Sequence, residues 1–120
     1  MENNPRENGK QILEKANSAI TKGDYEGFLT HFTEDTIWNF VGEQVLIGKD
    51  AVRKYITEVY TEPPKFRVEN LVSEGELVIA VGKINLKNKK GSSVDYSYCD
   101  VWRLRDGKLH ELKAFVVEGS

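Results

Sequence analysis

Apolar residues recur along this chain at two different spacings, and the point where the spacing changes divides it. Between Gly9 and Lys22, Ile12, Leu13, Ala16, Ala19 and Ile20 return every three or four positions, the period of a helix with one buried stripe. Gly23 suits a left-handed stop, and Asp24 can cap a second, short helix carrying Tyr25, Phe28, Leu29 and Phe32 on one side. Thr33-Glu34-Asp35 breaks that helix. Residues 36–41 are strand-like, rich in β-branched and aromatic side chains, and Val45-Leu46-Ile47 reads as a small strand or edge loop. A third helix is predicted from Lys49 to Tyr60, with Val52, Tyr55, Ile56 and Val59 at helical spacing, and Pro63-Pro64 stops it.

After the prolines the pattern is that of strands. Residues 66–73, 76–87, 94–105 and 108–117 are separated by Glu74-Gly75, by 88–93 and by Asp106-Gly107, hairpin turns with glycine where the backbone needs positive φ. Four hairpin-linked strands make an antiparallel meander, and helices gathered ahead of it must cover one of its faces. The fold class expected is therefore α+β. Residues 1–8 read as a loose, flexible N-terminal arm and 9–120 as a single domain.

The strand from Val94 carries the chemical anomaly. Val94, Tyr96, Tyr98, Trp102 and Leu104 share one face, which should line an apolar interior. Asp100 has the same parity. A carboxylate among tyrosines and tryptophan loses hydration, so it must be paired, hydrogen-bonded or kept protonated. The turn that follows leaves two registers open. A two-residue Asp106-Gly107 turn sets Asp100 opposite Lys113, a structural ion pair. A three-residue loop with a glycine bulge sets it beside Leu112 and sets Trp102 beside His110.

Composition narrows the function classes. The 120-residue chain is 39% hydrophobic and 30% charged with a net charge of −2, ordinary for one globular domain and without the basic stripe of a nucleic-acid binder. The run from Lys87 to Lys90 reads as a solvated hairpin tip. Cys99 is the only cysteine, so no internal disulfide forms; it falls on the face opposite Asp100 and reads as inert packing. No stretch approaches the ~20 apolar residues that span a bilayer, and the expectation is a cytoplasmic protein with no membrane or nucleic-acid partner. Two isolated histidines without clustered carboxylates do not suggest a metal site. His31 reads as a surface residue.

The order of elements, with GDYEGFLTHFTEDTIW, GKDAVRKYI and DVWRLRDGKL as markers, resembles the nuclear transport factor two-like superfamily, and within it the ketosteroid isomerase-like and SnoaL-like (polyketide cyclase-like) proteins. The resemblance implies a cone-shaped half-barrel of three helices on a curved, mostly antiparallel sheet, with a pocket running into the cone. It also implies a homodimer through the outer sheet face. The isomerases use a basic carboxylate, a tyrosine donor and an aspartic acid kept neutral to donate a hydrogen bond. Asp100 matches the last of these. The base position falls on Phe40 or Asn39, and the tyrosine position on Ala16, so steroid isomerisation is not expected. The Asp–Arg–Asp set of epoxide-hydrolase relatives finds at most Lys83 and Asn85 at the matching stretches. The periodicity of residues 77–85 does not choose which face points inward, and the resemblance turns Lys83 and Asn85 into the cone.

These readings converge on a small apolar, oxygen-bearing ligand and acid–base chemistry such as isomerisation, dehydration or cyclisation, with no cofactor. Asp100 is the candidate acid, Tyr98 a second donor and His110 a candidate base, although a lone histidine near a hairpin end is often a bystander. Trp38, Phe40, Trp102, Lys83, Asn85 and Leu112 complete the expected pocket. The other reading is a non-catalytic module that carries a ligand, or associates as a dimer, through the same fold.

Overall fold

The computed structural model describes residues 8–88 and 90–119. The expected loose arm lies outside the described residues except for Asn8, which is ordered as a cap: its Oδ1 accepts from the Gln11 amide at 3.0 Å while the Gln11 side chain accepts from the Asn8 amide at 3.1 Å. That reciprocal pair opens α1 (Gly9–Thr21), whose buried stripe is Ile12, Leu13, Ala16 and Ile20. The Asp24 carboxylate accepts from the Gly27 amide and starts α2 (Tyr25–Leu29). The second helix was expected to include His31 and Phe32. Instead the chain turns at Thr30 and His31, and Phe32 begins β1 (Phe32–Phe40). Tertiary contacts override the helical spacing here. The His31 carbonyl accepts from the Leu109 amide at 2.8 Å, and Phe32 pairs with Leu109 and is fully buried.

A short hairpin joins β1 to β2 (Gln44–Ile47), and α3 (Lys49–Val59) follows. The meander comprises β3 (Lys65–Glu74), β4 (Leu77–Lys87), β5 (Ser93–Arg105) and β6 (Lys108–Glu118). All belong to one six-stranded sheet in the order β2-β1-β6-β5-β4-β3. Neighbours are antiparallel except β1 and β6, which run parallel, so the sheet is mixed. α1, α2 and α3 pack on its concave face and close a cone, the α+β half-barrel expected.

The β5–β6 hairpin settles the register that the sequence left open, and does so by combining both alternatives. Asp106 and Gly107 both have positive φ, 52° and 77°, as a two-residue type I′ turn requires, and Arg105 pairs with Lys108. A bulge at His110 then inserts one extra residue into β6, so that Trp102 faces Leu112 and Asp100 faces Ala114. Lys113 is opposite Val101 and points to the convex side. Neither the Lys113 pairing nor the Leu112 and His110 pairings occur. The bulge has a packing cause: Leu109, Leu112 and Ala114 are all buried, and a regular strand could not turn 109 and 112 to the same face.

Candidate functional site

Between the concave face of the sheet and the three helices lies a cavity of about 310 Å³. Tyr96, Tyr98, Asp100 and Trp102 of β5 border it, with Trp38 and Phe40 of β1, Leu112 and Val116 of β6, and Ala80 and Ile84 of β4. The helices contribute Leu13 and Ile20, Phe28, and Tyr55 and Tyr60. Trp38 sits at the centre of the ring cluster, edge-on to Trp102 at 6.0 Å and to Phe28 at 6.1 Å between centroids. Such contacts add ~0.5–1.5 kcal/mol each beyond simple burial. The Trp38 indole Nε1 is buried without a hydrogen-bond partner.

Asp100 is built into this wall by its neighbours. Its cross-strand partners are Ala80 and Ala114, two side chains with no polar group to pair with it. Part of its surface faces the cavity, so it is half-buried by area, while protein crowds every other side. Among the described residues nothing donates a hydrogen bond to its carboxyl and no cation pairs with it. Burial alone therefore pushes its pKa up to about 7.

Tyr98 stands two positions away on the same face. It crosses β4 over Gly82, its cross-strand partner, and a Cβ there would lie 2.8 Å from the hydroxyl and collide with the Arg67 carbonyl. The absent side chain is what lets the ring lie flat. Burial, then the Asp100 charge, then Glu69 push the Tyr98 hydroxyl up to about 12, so it is a donor at neutral pH. Tyr60 is raised as well, by burial first and then by Tyr55, Asp100 and Tyr25. Its backbone carbonyl accepts from the Tyr25 hydroxyl at 3.1 Å, which ties the end of α3 to α2.

A protein-family model for the SnoaL-like domain matches residues 13–112, nearly the whole of this fold. The chain belongs to the SnoaL-like domain family. Its fold also matches solved structures, and the three that follow, each below 25% identity, speak for architecture alone. One is SalBIII, described as an epoxide hydrolase/cyclase-like enzyme in pyran ring formation in the polyether salinomycin. It shares 23% identity at a TM-score of 0.82, over 89% of this chain and 88% of that one. Another is an NTF2-like protein of unknown function from Burkholderia pseudomallei, at 18% identity and TM-score 0.78, over 90% and 89%. TerC, crystallised with polyporic acid, matches at 14% identity and TM-score 0.77, over 88% of each chain. Curated proteins gave no match.

This SnoaL-like cone brings Asp100, Tyr98, Trp38, Phe40, Trp102 and Leu112 together around one space. Three other expected residues are elsewhere. Lys83 and Asn85 belong to the convex face: Lys83 Nζ donates to Ser97 Oγ at 2.8 Å, and Asn85 Nδ2 donates to Asp95 Oδ1 at 2.7 Å. The inward set of β4 is Val78, Ala80, Gly82 and Ile84, because the rings of β5 need small residues beside them. His110 occupies the bulge of β6 at the outer rim. Its Nδ1 lies 2.9 Å from Thr33 Oγ1 and 3.7 Å from Asp35 Oδ1, and it does not border the cavity.

The sequence reading missed Glu43, Tyr55 and Tyr60 as lining residues, and it placed Tyr96 on the inward face without naming it for the pocket. Tyr55 and Tyr60 were visible only as part of an apolar helical stripe. Glu43, in the β1–β2 turn, had no periodic signal at all. Among the described residues no group of His, Cys, Asp or Glu is arranged to hold a metal ion, and no helix is long and apolar enough to cross a membrane.

Proposed function

We propose that this SnoaL-like protein binds a small apolar, oxygen-bearing molecule in the cone and acts on it by acid–base chemistry, an isomerisation, dehydration or cyclisation. Asp100 in its acid form gives a hydrogen bond or a proton to the ligand oxygen, with Tyr98 as second donor. The observation that carries this reading is a carboxyl without hydrogen-bond or ion-pair partner, bordering a cavity otherwise walled by rings. A group with pKa about 7 can both hold and release a proton near neutrality. The cyclase description of SalBIII supports the ring-forming member of that set. His110 has no part in it, since its ring is held at the rim by Thr33.

The test is a carboxyl NMR titration of the free protein, followed by turnover screens of the wild type and Asp100→Asn. Expected are an Asp100 midpoint near 7 and loss of any turnover in the variant. An Asp100 that ionises together with the surface carboxylates overturns the reading.

A carrier without catalysis is the second reading, favoured by Phe40, Asn39 and Ala16 standing where isomerase relatives place a base and a tyrosine. Ligand retention by Asp100→Asn with no turnover by either protein selects it. The proposal includes pairing of two copies through the convex sheet face. There Val72, Phe115 and Val117 are exposed beside Val81, Cys99 and Val101. Sedimentation at the mass of one chain removes that element.

A further inference from the structure

Charge of one sign borders the cavity. Two carboxylates, Asp100 and Glu43, line it, and among the described residues no lysine, arginine or histidine does. Alanines stand on either side of Asp100, and among the described residues no cation pairs with its carboxyl. The remaining wall is largely aromatic: Trp38, Phe40, Tyr55, Tyr98 and Trp102 line it, and the Trp38 ring meets those of Phe40, Tyr55 and Trp102 edge-on. Ring faces carry negative potential and attract cations, more strongly where water is excluded.

We propose that the cavity also accepts an apolar small molecule bearing a protonated amine, its ammonium set against the Asp100 carboxylate and the aromatic faces, and that it rejects carboxylates of the same shape. This goes beyond the neutral ligand of the proposed function. The two ligand classes use the two protonation states of one group. A ketone accepts from the acid form, whereas an ammonium donates to the carboxylate. An anion meets like charge at Asp100 and Glu43 and gives up its hydration for nothing in return.

The groups around Asp100 leave it as the one that changes charge between the two states. Tyr96 and Tyr98 stand on its own strand, Tyr55 on α3 with Tyr60 just past its end, and Tyr25 on α2. The hydroxyls of Tyr25, Tyr55, Tyr60 and Tyr98 are all raised by burial and stay neutral. Glu43, from the β1–β2 turn, adds to the rise of Tyr55, and Glu69, from β3, adds to that of Tyr98. α1, β4 and β6 present Leu13, Asn17, Ala80, Leu112 and Ala114, none of which titrates. An ammonium ligand must therefore displace the Asp100 proton below its midpoint and find it already gone above.

Calorimetry with three probes sharing one ring body tests this: naphthylmethylamine, acetonaphthone and naphthoate. The amine is expected to bind about tenfold more weakly at about pH 6 than at about pH 8, and to release close to one proton per site at the lower pH. Acetonaphthone should show the opposite trend, and naphthoate should not bind. Asp100→Asn should weaken the amine at least about tenfold and abolish its pH dependence, and the exposed Glu43→Gln should weaken it less. Amine binding no tighter than naphthoate, or binding by none of the three, overturns the inference. Acetonaphthone binding that strengthens at low pH without any amine binding overturns it while leaving the proton-donor reading intact. Amine binding beside a pH-independent ketone upholds it and removes the donor role of Asp100. The wild-type pH series stands even if a variant fails to fold.

Discussion

Asp35 and Asp100 are the same side chain in opposite circumstances, on strands β1 and β5 of one sheet with β6 between them. Asp35 stands at the open rim, where both carboxylate oxygens accept from Arg105, at 2.5 and 3.1 Å, and the His110 ring lies nearby. The Arg105 hydrogen bonds hold its pKa below the usual carboxylate range. Asp100 faces inward between two alanines, has no such partner, and is pushed up to about 7 by desolvation. The rim spends its cations on its anions and leaves no chemistry over. The interior keeps an unanswered acid, which is what a reactive group requires.

The largest expected effect comes from removing the inner acid. Because the folded-state pKa of Asp100 is raised, the native chain binds one more proton than the unfolded chain between about pH 4 and pH 7, and stability falls as pH rises through that window. A shift of this size corresponds to at most about 4 kcal/mol at about pH 8. Asp100→Asn should recover a few kcal/mol there and change little at about pH 4. Urea denaturation at the two pH values checks it, and equal effects at both would show that Asp100 is solvated or paired.

Next in size is the support under Tyr98. Gly82→Ala puts a methyl against both the Arg67 carbonyl and the Tyr98 hydroxyl, so either β3 or the ring must move. Overpacking of this kind costs about 1–3 kcal/mol. The informative readout is the Asp100 titration in the same variant. If Tyr98 is displaced and water reaches the carboxyl, the midpoint drops from about 7 toward the ordinary aspartate range. An unmoved midpoint would mean that burial by the helices, not the tyrosine, isolates the acid.

Most of the architecture could be read from the sequence because it rests on period. The apolar stripe of α1, the Pro63-Pro64 stop and the glycines at the turns each state a backbone preference locally. Asp100 was legible for the same reason: its parity set it among rings. What could not be read depends on contacts between distant segments. The Phe32 position was decided by Leu109, far along the chain, and the inward face of β4 by the bulk of the β5 rings. The bulge at His110 did leave a trace, since Leu109, Leu112 and Ala114 break strict alternation. That trace distinguishes the observed register from both regular ones, and it would have removed the Asp100–Lys113 ion pair and the place of His110 in the site.

The smallest effect belongs to the outer aspartate, and its sign is opposite. Asp35 has a lowered folded-state pKa, so it contributes stability above the unfolded value that is lost as pH falls through its own titration. Asp35→Asn should therefore lower the melting temperature slightly near neutral pH and not at all in strong acid. Arg105 and Asp35 are solvent-facing, so salt screens their pairing and the neutral-pH effect should shrink further at high ionic strength. The Asp100→Asn gain, which arises from desolvation rather than from a pair, should survive the same salt. Melting curves of both variants at low and high salt bring the two aspartates into one experiment. A gain at Asp100 that salt erased would mean that a nearby exposed charge, and not the dry wall around it, sets that carboxyl's state.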